Sequence, residues 1–197
     1  NQVLISLFLQ TTALSQILIT FQRFSDAGNF TLLVSLDLTA AFDSIDHSIL
    51  LSRLKTSFGF DGLVYNWIKS YLTGRYQTVI IGNNSSAPTL LAPGVPQGSV
   101  LGPLLFSIYT SPIASLASSF SVPQQQYADD TQLYISLSPP NFSGQIHCLE
   151  DCLTALHAWC CHNSLSLNPD KSDALSGTRQ RSHSFSDLTT VNVAGSV

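Results

Sequence analysis

Thr31-Leu32-Leu33-Val34-Ser35-Leu36-Asp37 is the stretch on which the fold turns. A nearly continuous apolar run of this length suits a strand buried on both faces. It ends on a carboxylate. From Ala40 onward the period changes to a helical one, with Ile45, Ile49, Leu50 and Leu54 as the buried stripe and Gly59 as the stop. A carboxylate at the end of a packed strand is held rigidly, which is the condition chemistry imposes on a functional group.

Downstream, Asp61 caps a second predicted helix carrying Val64, Trp67, Ile68 and Tyr71 and closed by Gly74. Tyr76–Ile81 and Thr89–Leu91 read as a hairpin around Gly82-Asn83-Asn84. The loop Pro93-Gly94-Val95-Pro96-Gln97-Gly98 leads into an apolar helical run from Ser99 to about Leu116. Gln125–Leu137 reads as two short strands meeting at Ala128-Asp129-Asp130. Ile146, Leu149, Leu153, Leu156 and Cys160 then fall at helical spacing, followed by Leu165–Leu167, a turn at Asn168-Pro169-Asp170, and Lys171. Upstream, Asn1–Phe21 is uncharged but broken by polar residues, and Leu7, Leu14, Ile17 and Leu18 predict a core-facing helix rather than a membrane span. With no repeat and no separating linker, this order predicts an α+β fold, an antiparallel sheet with helices packed on one face and two acidic turns at its rim.

Composition sets limits. The chain has 197 residues, 44% of them hydrophobic, which excludes whole-chain disorder. Charged residues make up only 10%, and a net charge of −4 carries no basic footprint of the kind that marks a stand-alone nucleic-acid binder. There is no Met, even at position 1, so the sequence reads as a piece of a longer frame. Four cysteines (Cys148, Cys152, Cys160, Cys161) invite a zinc reading, but on one helix they spread over roughly 220° at about 100° per residue and cannot converge on a tetrahedral ion. Reduced, buried thiols in an intracellular protein, cytoplasmic or nuclear, are the better expectation. A hydrolase using Ser99 fails on spacing, because Gly98-Ser99-Val100-Leu101-Gly102 is not a nucleophile elbow.

The acids are the informative residues. Asp129 and Asp130 lie at a hairpin turn 92 residues beyond Asp37. Taken singly, a strand-end Asp is a helix cap and an Asp-Asp pair is turn chemistry. Clustered carboxylates, however, repel one another unless a hard cation neutralises them, and Asp oxygens are preferred ligands for Mg²⁺. Two such ions held by shared carboxylates are what nucleotidyl transfer needs.

Ser35-Leu36-Asp37-Leu38-Thr39-Ala40-Ala41-Phe42-Asp43 resembles the first catalytic motif of reverse transcriptases. Pro96-Gln97-Gly98-Ser99 with Gly102-Pro103-Leu104-Leu105-Phe106 is similar to their template- and nucleotide-positioning motif, Tyr127-Ala128-Asp129-Asp130 to their signature hairpin, and Leu167-Asn168-Pro169-Asp170-Lys171 to their fourth motif. Asp43-Ser44-Ile45-Asp46-His47 gives the set the flavour of non-LTR, LINE-like retrotransposons. The resemblance implies a right-hand polymerase palm over residues 31–178, a residual fingers-side helix in 1–30 and the start of a connection toward the thumb in 179–197.

It also implies roles. Asp37 and Asp129 would be the principal ligands of two Mg²⁺ (Mn²⁺ as the alternative), with Asp130 a supporting carboxylate. The backbone of Leu38, Thr39, Ala40 and Ala41 would lie along a triphosphate, where N–H groups opening a helix suit an anion. Phe42 would be the ring under the sugar that excludes a ribose 2′-hydroxyl, Gln97 and Gly98 would meet the incoming nucleotide and template, and Lys171 would protonate or steady the leaving pyrophosphate. RNA template, DNA primer and deoxynucleoside triphosphates are the implied partners. Against the family pattern, the basic fingers and the thumb find no room, and Leu175-Ser176-Gly177 stands where an aliphatic-Phe-Gly strand end belongs. A polymerase palm inactive in isolation is the expectation, and a non-catalytic remnant of a decayed element is its rival.

Overall fold

The computed structural model describes residue 19 and residues 30–96, 98–138 and 141–177. The helix expected within Asn1–Phe21 lies outside these, Ile19 excepted, as does the tail from residue 178 onward. The elements are β1 (Phe30–Thr39), α1 (His47–Thr56), α2 (Gly62–Leu72), β2 (Tyr76–Gln77), β3 (Ile80–Ile81), β4 (Asn84–Ser85), β5 (Thr89–Leu90), α3 (Gly102–Thr110), α4 (Pro112–Ser119), β6 (Gln124–Tyr127), β7 (Asp130–Leu137), α5 (Phe142–His162) and β8 (Ser166–Gly177). They form two compact units. One comprises the described parts of Asn1–Thr39, Pro112–Cys161 and Ser166–Val197, the other Ala40–Ser111 with His162–Leu165.

The first unit is built on a four-stranded sheet of order β6-β7-β1-β8, with every neighbouring pair antiparallel. In chain order it runs β1-α4-β6-β7-α5-β8, a split βαβ arrangement. β1 is central, as its apolar run requires. Val34 pairs with Leu133 and Leu36 with Thr131, which places these side chains on one face by the pleat. A residual void of about 10 Å³ shows what covers that face: Leu36, Thr131 and Leu167 from the sheet meet Ile113 of α4 and Leu156 and Cys160 of α5. Leu133, Leu149 and Leu153 are fully buried, each contributing about 1.5–3 kcal/mol by the burial of its side chain.

Two expectations change here. Asn168-Pro169-Asp170 is not a turn between elements, because β8 is one 12-residue strand interrupted by an irregularity. Of the four cysteines only Cys152 and Cys160 are buried. Cys148 is half-buried, its Sγ donating to the Phe120 carbonyl at 3.0 Å, and Cys161 is exposed.

In the second unit α1 starts later than its apolar stripe suggests. Ala40 has φ of 48°, a left-handed conformation that cannot continue into a helix. The helix opens only where Asp46 caps it, its Oδ1 accepting from the amides of Ser48 and Ile49 at 2.7 and 3.1 Å. These bonds, the Ser48 side chain first, hold the Asp46 carboxyl below its ordinary range. Leu50, Leu51 and Leu54 form the buried stripe, with Ile45 buried just ahead of the helix.

Along α2, Ile68 and Leu72 are buried, whereas Val64 and Trp67 are exposed. The expected hairpin is two short ladders, β2 with β5 and β3 with β4, separate from the main sheet. The long helical run breaks at Ser111 into α3 and α4, because Pro112 has no N–H and its ring crowds the preceding turn. Within the unit the hydroxyl of buried Tyr109 donates to the Asn163 carbonyl at 2.6 Å and accepts from the Asp46 amide at 3.3 Å. Arg53 reaches the Asn163 side-chain oxygen at 2.7 Å and lies over the Tyr109 ring at 5.1 Å.

Candidate active site

Asp37 stands at the end of β1 on the face opposite the helices. The β1–β8 ladder shifts register beside it: Ser35 pairs with Asp173, but Asp37 pairs with Asn168. Pro169, Asp170, Lys171 and Ser172 therefore bulge out of β8 opposite Leu36, and a bulge is where a strand tolerates a proline. Both ends of the bulge are tied to Asp37. The Asn168 side-chain amide donates to its Oδ2 at 3.4 Å. The Asp37 backbone amide donates to the Ser172 Oγ at 3.4 Å, and that hydroxyl donates to the Asn168 carbonyl at 2.7 Å. Lys171 is exposed at the crest.

The β6–β7 hairpin closes on the pair Tyr127–Asp130 through Ala128 and Asp129. Ala128 has φ of 51°, a strained value for a residue with a Cβ at the first central position of a two-residue turn. The ladder between β1 and β7 ends at Leu36 and Thr131, and one step further along each strand lie Asp37 and Asp130. The pleat thus sets Asp130 on the same face as Asp37. Its carboxyl is pushed above the ordinary range, first by desolvation, then by the charges of Asp129 and Asp37.

Among the described residues none of the three carboxylates is ion-paired. None of them belongs to a formed cluster of three or more His, Cys, Asp or Glu donors, since none exists among the described residues. The donor set nonetheless fits a hard divalent cation. It is all oxygen, it is negatively charged, and its members already repel one another.

The other expected residues run from the end of β1 in the first unit into the second unit, which starts at Ala40. Leu38 and Thr39 finish β1, paired with Leu167 and Ser166. Ala40 and Ala41 form a turn in which the Ala40 carbonyl accepts from the amides of Asp43 and Ser44 at 2.9 and 3.0 Å. The amides of Leu38 to Ala41 therefore belong to a strand end and a turn, not to the opening of a helix. The half-buried ring of Phe42 lies against Phe106 of α3, centroids 4.9 Å apart. The Phe42 carbonyl accepts from the Val95 amide at 2.9 Å, and the Ile45 carbonyl accepts from the Gly94 amide at 2.8 Å.

The loop that leads to Gly98 is thus zipped to the loop that carries Phe42, although about 50 residues separate them. Gly98 has φ of +75° with open space where a Cβ would stand. Gln97 lies outside the described residues. The Ser99 hydroxyl accepts from the Gly102 amide at 3.1 Å, so it serves the start of α3.

Sequence reasoning missed Asn168 and Ser172 as partners of Asp37, and His47 and Gly94 as the link between the two loops. Only Gly94 left a local signal, since a glycine in a Pro-flanked loop suits a close backbone approach; the others are set by contacts between segments distant along the chain.

Comparison with known proteins gives a consistent picture. Residues 5–189 match the family model described as reverse transcriptase (RNA-dependent DNA polymerase). The chain is 37% identical over 143 residues to a probable RNA-directed DNA polymerase from transposon BS of Drosophila melanogaster, covering 70% of this chain and 15% of that protein. It is 30% identical over 141 residues to the RNA-directed DNA polymerase from mobile element jockey of the same species, covering 69% of this chain and 15% of that one. The Pol polyprotein from the type-1 retrotransposable element R2 of Popillia japonica matches 51% of this chain at 30% identity, over 18% of its own length. The chain therefore spans under a fifth of the length of these relatives.

Among solved structures, telomerase from Candida tropicalis in complex with a TWJ fragment of telomeric RNA superposes with a TM-score of 0.66 at 13% identity, covering 85% of this chain and 29% of that one. Apo telomerase from the same organism, truncated from its C-terminal domain, gives 0.63 at 14%, covering 87% of this chain and 36% of that one. At this identity the likeness is one of fold.

Proposed function

Since the chain belongs to the reverse transcriptase family, on the branch found in non-LTR retrotransposons, we propose that it is the palm of an RNA-directed DNA polymerase that extends a DNA primer on an RNA template. The observation that carries the reading is the register that sets Asp37 and Asp130 on one face at the same end of two adjacent strands, with Asp129 in the turn beside them, where the Asp130 carboxyl is raised by desolvation and then by the charges of Asp129 and Asp37. Asp37 and Asp129 are the principal ligands and Asp130 the supporting one, for two Mg²⁺ or Mn²⁺ ions. Bound there, the ions supply activation of the primer 3′-hydroxyl and stabilisation of the pyrophosphate leaving group.

The chain's own residues do the rest. Asn168 and Ser172 hold the Asp37 side chain and backbone in place. The backbone of Leu38, Thr39, Ala40 and Ala41 borders the triphosphate, and Phe42 sits under the sugar and rejects a 2′-hydroxyl. Gln97 and Gly98 meet the incoming nucleotide and template. As the 3′-oxygen, its proton passing to solvent water, forms its bond to the α-phosphorus and the bond to the bridging oxygen breaks, Lys171 hands a proton to the departing pyrophosphate. The nucleic-acid substrates put the protein inside the cell, in cytoplasm or nucleus. Among the described residues no helix is long and apolar enough to cross a membrane.

The palm alone is expected to be inactive, so the test pairs primer extension on an RNA template by a version lengthened at both ends with Mn²⁺ titration of this chain followed by electron paramagnetic resonance. Asp129→Asn is expected to lower extension by about 10³-fold or more and to weaken Mn²⁺ binding. Extension or Mn²⁺ binding that survives Asp129→Asn overturns the assignment.

A further inference from the structure

The loop Pro93-Gly94-Val95-Pro96 approaches the Phe42–Ile45 segment so closely that a Cβ on Gly94 would lie 2.9 Å from both the Cα and the carbonyl oxygen of Asp43. Three hydrogen bonds hold this approach. Two are the backbone bonds from Gly94 to Ile45 and from Val95 to Phe42. The third comes from a side chain: the His47 Nε2 lies 2.6 Å from the carbonyl oxygen of Gly94. A carbonyl can only accept, so Nε2 carries the proton and the imidazole is the donor. Gly94 and Val95 are buried, so this carbonyl has no water to fall back on if the imidazole is removed. Three to four residues on, at Gly98, an added Cβ would meet nothing within 4 Å. The close approach is therefore at Gly94 and Val95, the root of the loop, and not at exposed Gly98.

We infer that His47 is a positioning residue, which pins the Gly94-Val95 root of the loop that leads to Gly98 to the loop bearing Phe42 and thereby sets the sugar selectivity of nucleotide binding. The inference rests on the proposed nucleotide site. The physical link is the Phe42 carbonyl, which is bonded to the same loop that His47 holds. Releasing the Gly94 carbonyl loosens that bond and lets the Phe42 ring shift from the position in which it excludes a 2′-hydroxyl. His47 itself need not touch the nucleotide.

The experiment uses His47→Leu, which cannot donate, and His47→Gln, whose side-chain amide nitrogen can replace Nε2. Two readouts are taken on the whole chain: amide hydrogen exchange by NMR, and titration with dTTP and with UTP in the presence of Mg²⁺. In His47→Leu the Gly94 and Val95 amides are expected to lose at least tenfold in protection. Affinity for dTTP should fall about 5–10-fold, the scale of one lost hydrogen bond, and the preference for dTTP over UTP should narrow by several-fold. His47→Gln should restore most of each.

Unchanged protection in His47→Leu overturns the clamp. Lost protection with an unchanged dTTP-to-UTP ratio overturns the positioning role, since a merely structural histidine would leave that ratio alone. An unsubstituted chain that does not distinguish dTTP from UTP overturns the nucleotide reading itself, while the exchange data still report whether His47 holds the loop.

Discussion

Gly94 and Gly98 sit four positions apart with similar backbones, φ of +88° and +75°, and this makes them a matched pair for separating conformation from contact. Replacing either with Ala puts a Cβ on a left-handed residue, at about 1–2 kcal/mol, of which restriction of the unfolded chain returns about 0.4–1. Gly98→Ala meets no steric obstacle, because beyond its chain neighbours nothing lies within 4 Å of its new methyl. Gly94→Ala incurs a further term, because its methyl would lie 2.9 Å from the Asp43 Cα and carbonyl oxygen and 3.1 Å from the Asp43 carbonyl carbon. These are backbone atoms of a segment pinned by its own hydrogen bonds, so relief requires parting the two loops, a strain of about 1–3 kcal/mol.

Urea unfolding should therefore show Gly98→Ala destabilised by about 0.5–1 kcal/mol and Gly94→Ala by about 2–4. In melting temperature the difference between them is several degrees, at about 2–4 °C per kcal/mol for a chain of this size. Costs equal within about 0.5 kcal/mol, smaller than the strain term, would refute the close approach of the loops. Loss of the Gly94 and Val95 amide protection in Gly94→Ala alone would corroborate it.

Other side chains carry expectations of their own. Asp130 has its carboxyl raised in the folded state, by desolvation and then by Asp129 and Asp37, so the folded state disfavours its ionisation. The associated stability is present in acid below the ordinary carboxylate range and lost as pH rises through the raised folded value. Asp130→Asn should accordingly stabilise the protein at pH 7, with an advantage that fades on acidification and shrinks when Mg²⁺ is added to both proteins, as read from thermal melts. Tyr109→Phe leaves the Asn163 carbonyl and the Asp46 amide without their shared hydroxyl, and denaturant titration should register a loss of about 1–3 kcal/mol. Burial pushes the Cys152 and Cys160 thiols up to about 11 and about 12, with Cys148 and Cys161 as lesser contributors. Iodoacetamide at pH 8 followed by peptide mass spectrometry should find exposed Cys161 modified first, and Cys152 and Cys160 modified only after unfolding.

What the sequence made legible was whatever depends on short range. The central strand, the hairpin about Ala128-Asp129 and the stripe of α5 are encoded by local periodicity, and each forms near its expected bounds. Several misread features depend on partners distant along the chain. Nothing local distinguishes a turn at Asn168-Pro169-Asp170 from a bulge, since the difference lies in whether Asp173 resumes pairing with Ser35. The start of α1 was placed six residues or so early because alanines are good helix formers, while the left-handed Ala40 is imposed by the turn. The two units escaped notice because each is assembled from discontinuous segments that no linker separates. At the site, the three acids were identifiable as residue types, but the sharing of one face by Asp37 and Asp130 comes from inter-strand register. The roles of Asn168, Ser172 and His47 likewise come from contacts between distant segments.

The central place of β1 has a consequence for biosynthesis. Its two neighbours in the sheet are β7 and β8, so the most apolar strand of the chain is translated early and flanked late. At about 5–20 residues per second, the roughly 140 residues between β1 and the end of β8 take on the order of ten seconds to emerge. Until β7 emerges the nascent chain carries a strand with both edges open, and until β8 emerges one with a single open edge, the kind of template on which unrelated chains pair. Arrival of β7 closes one edge and that of β8 the other. The strand that closes the second edge also carries Asn168 and Ser172, so protection of β1 and ordering of the Asp37 carboxylate come with the same docking event.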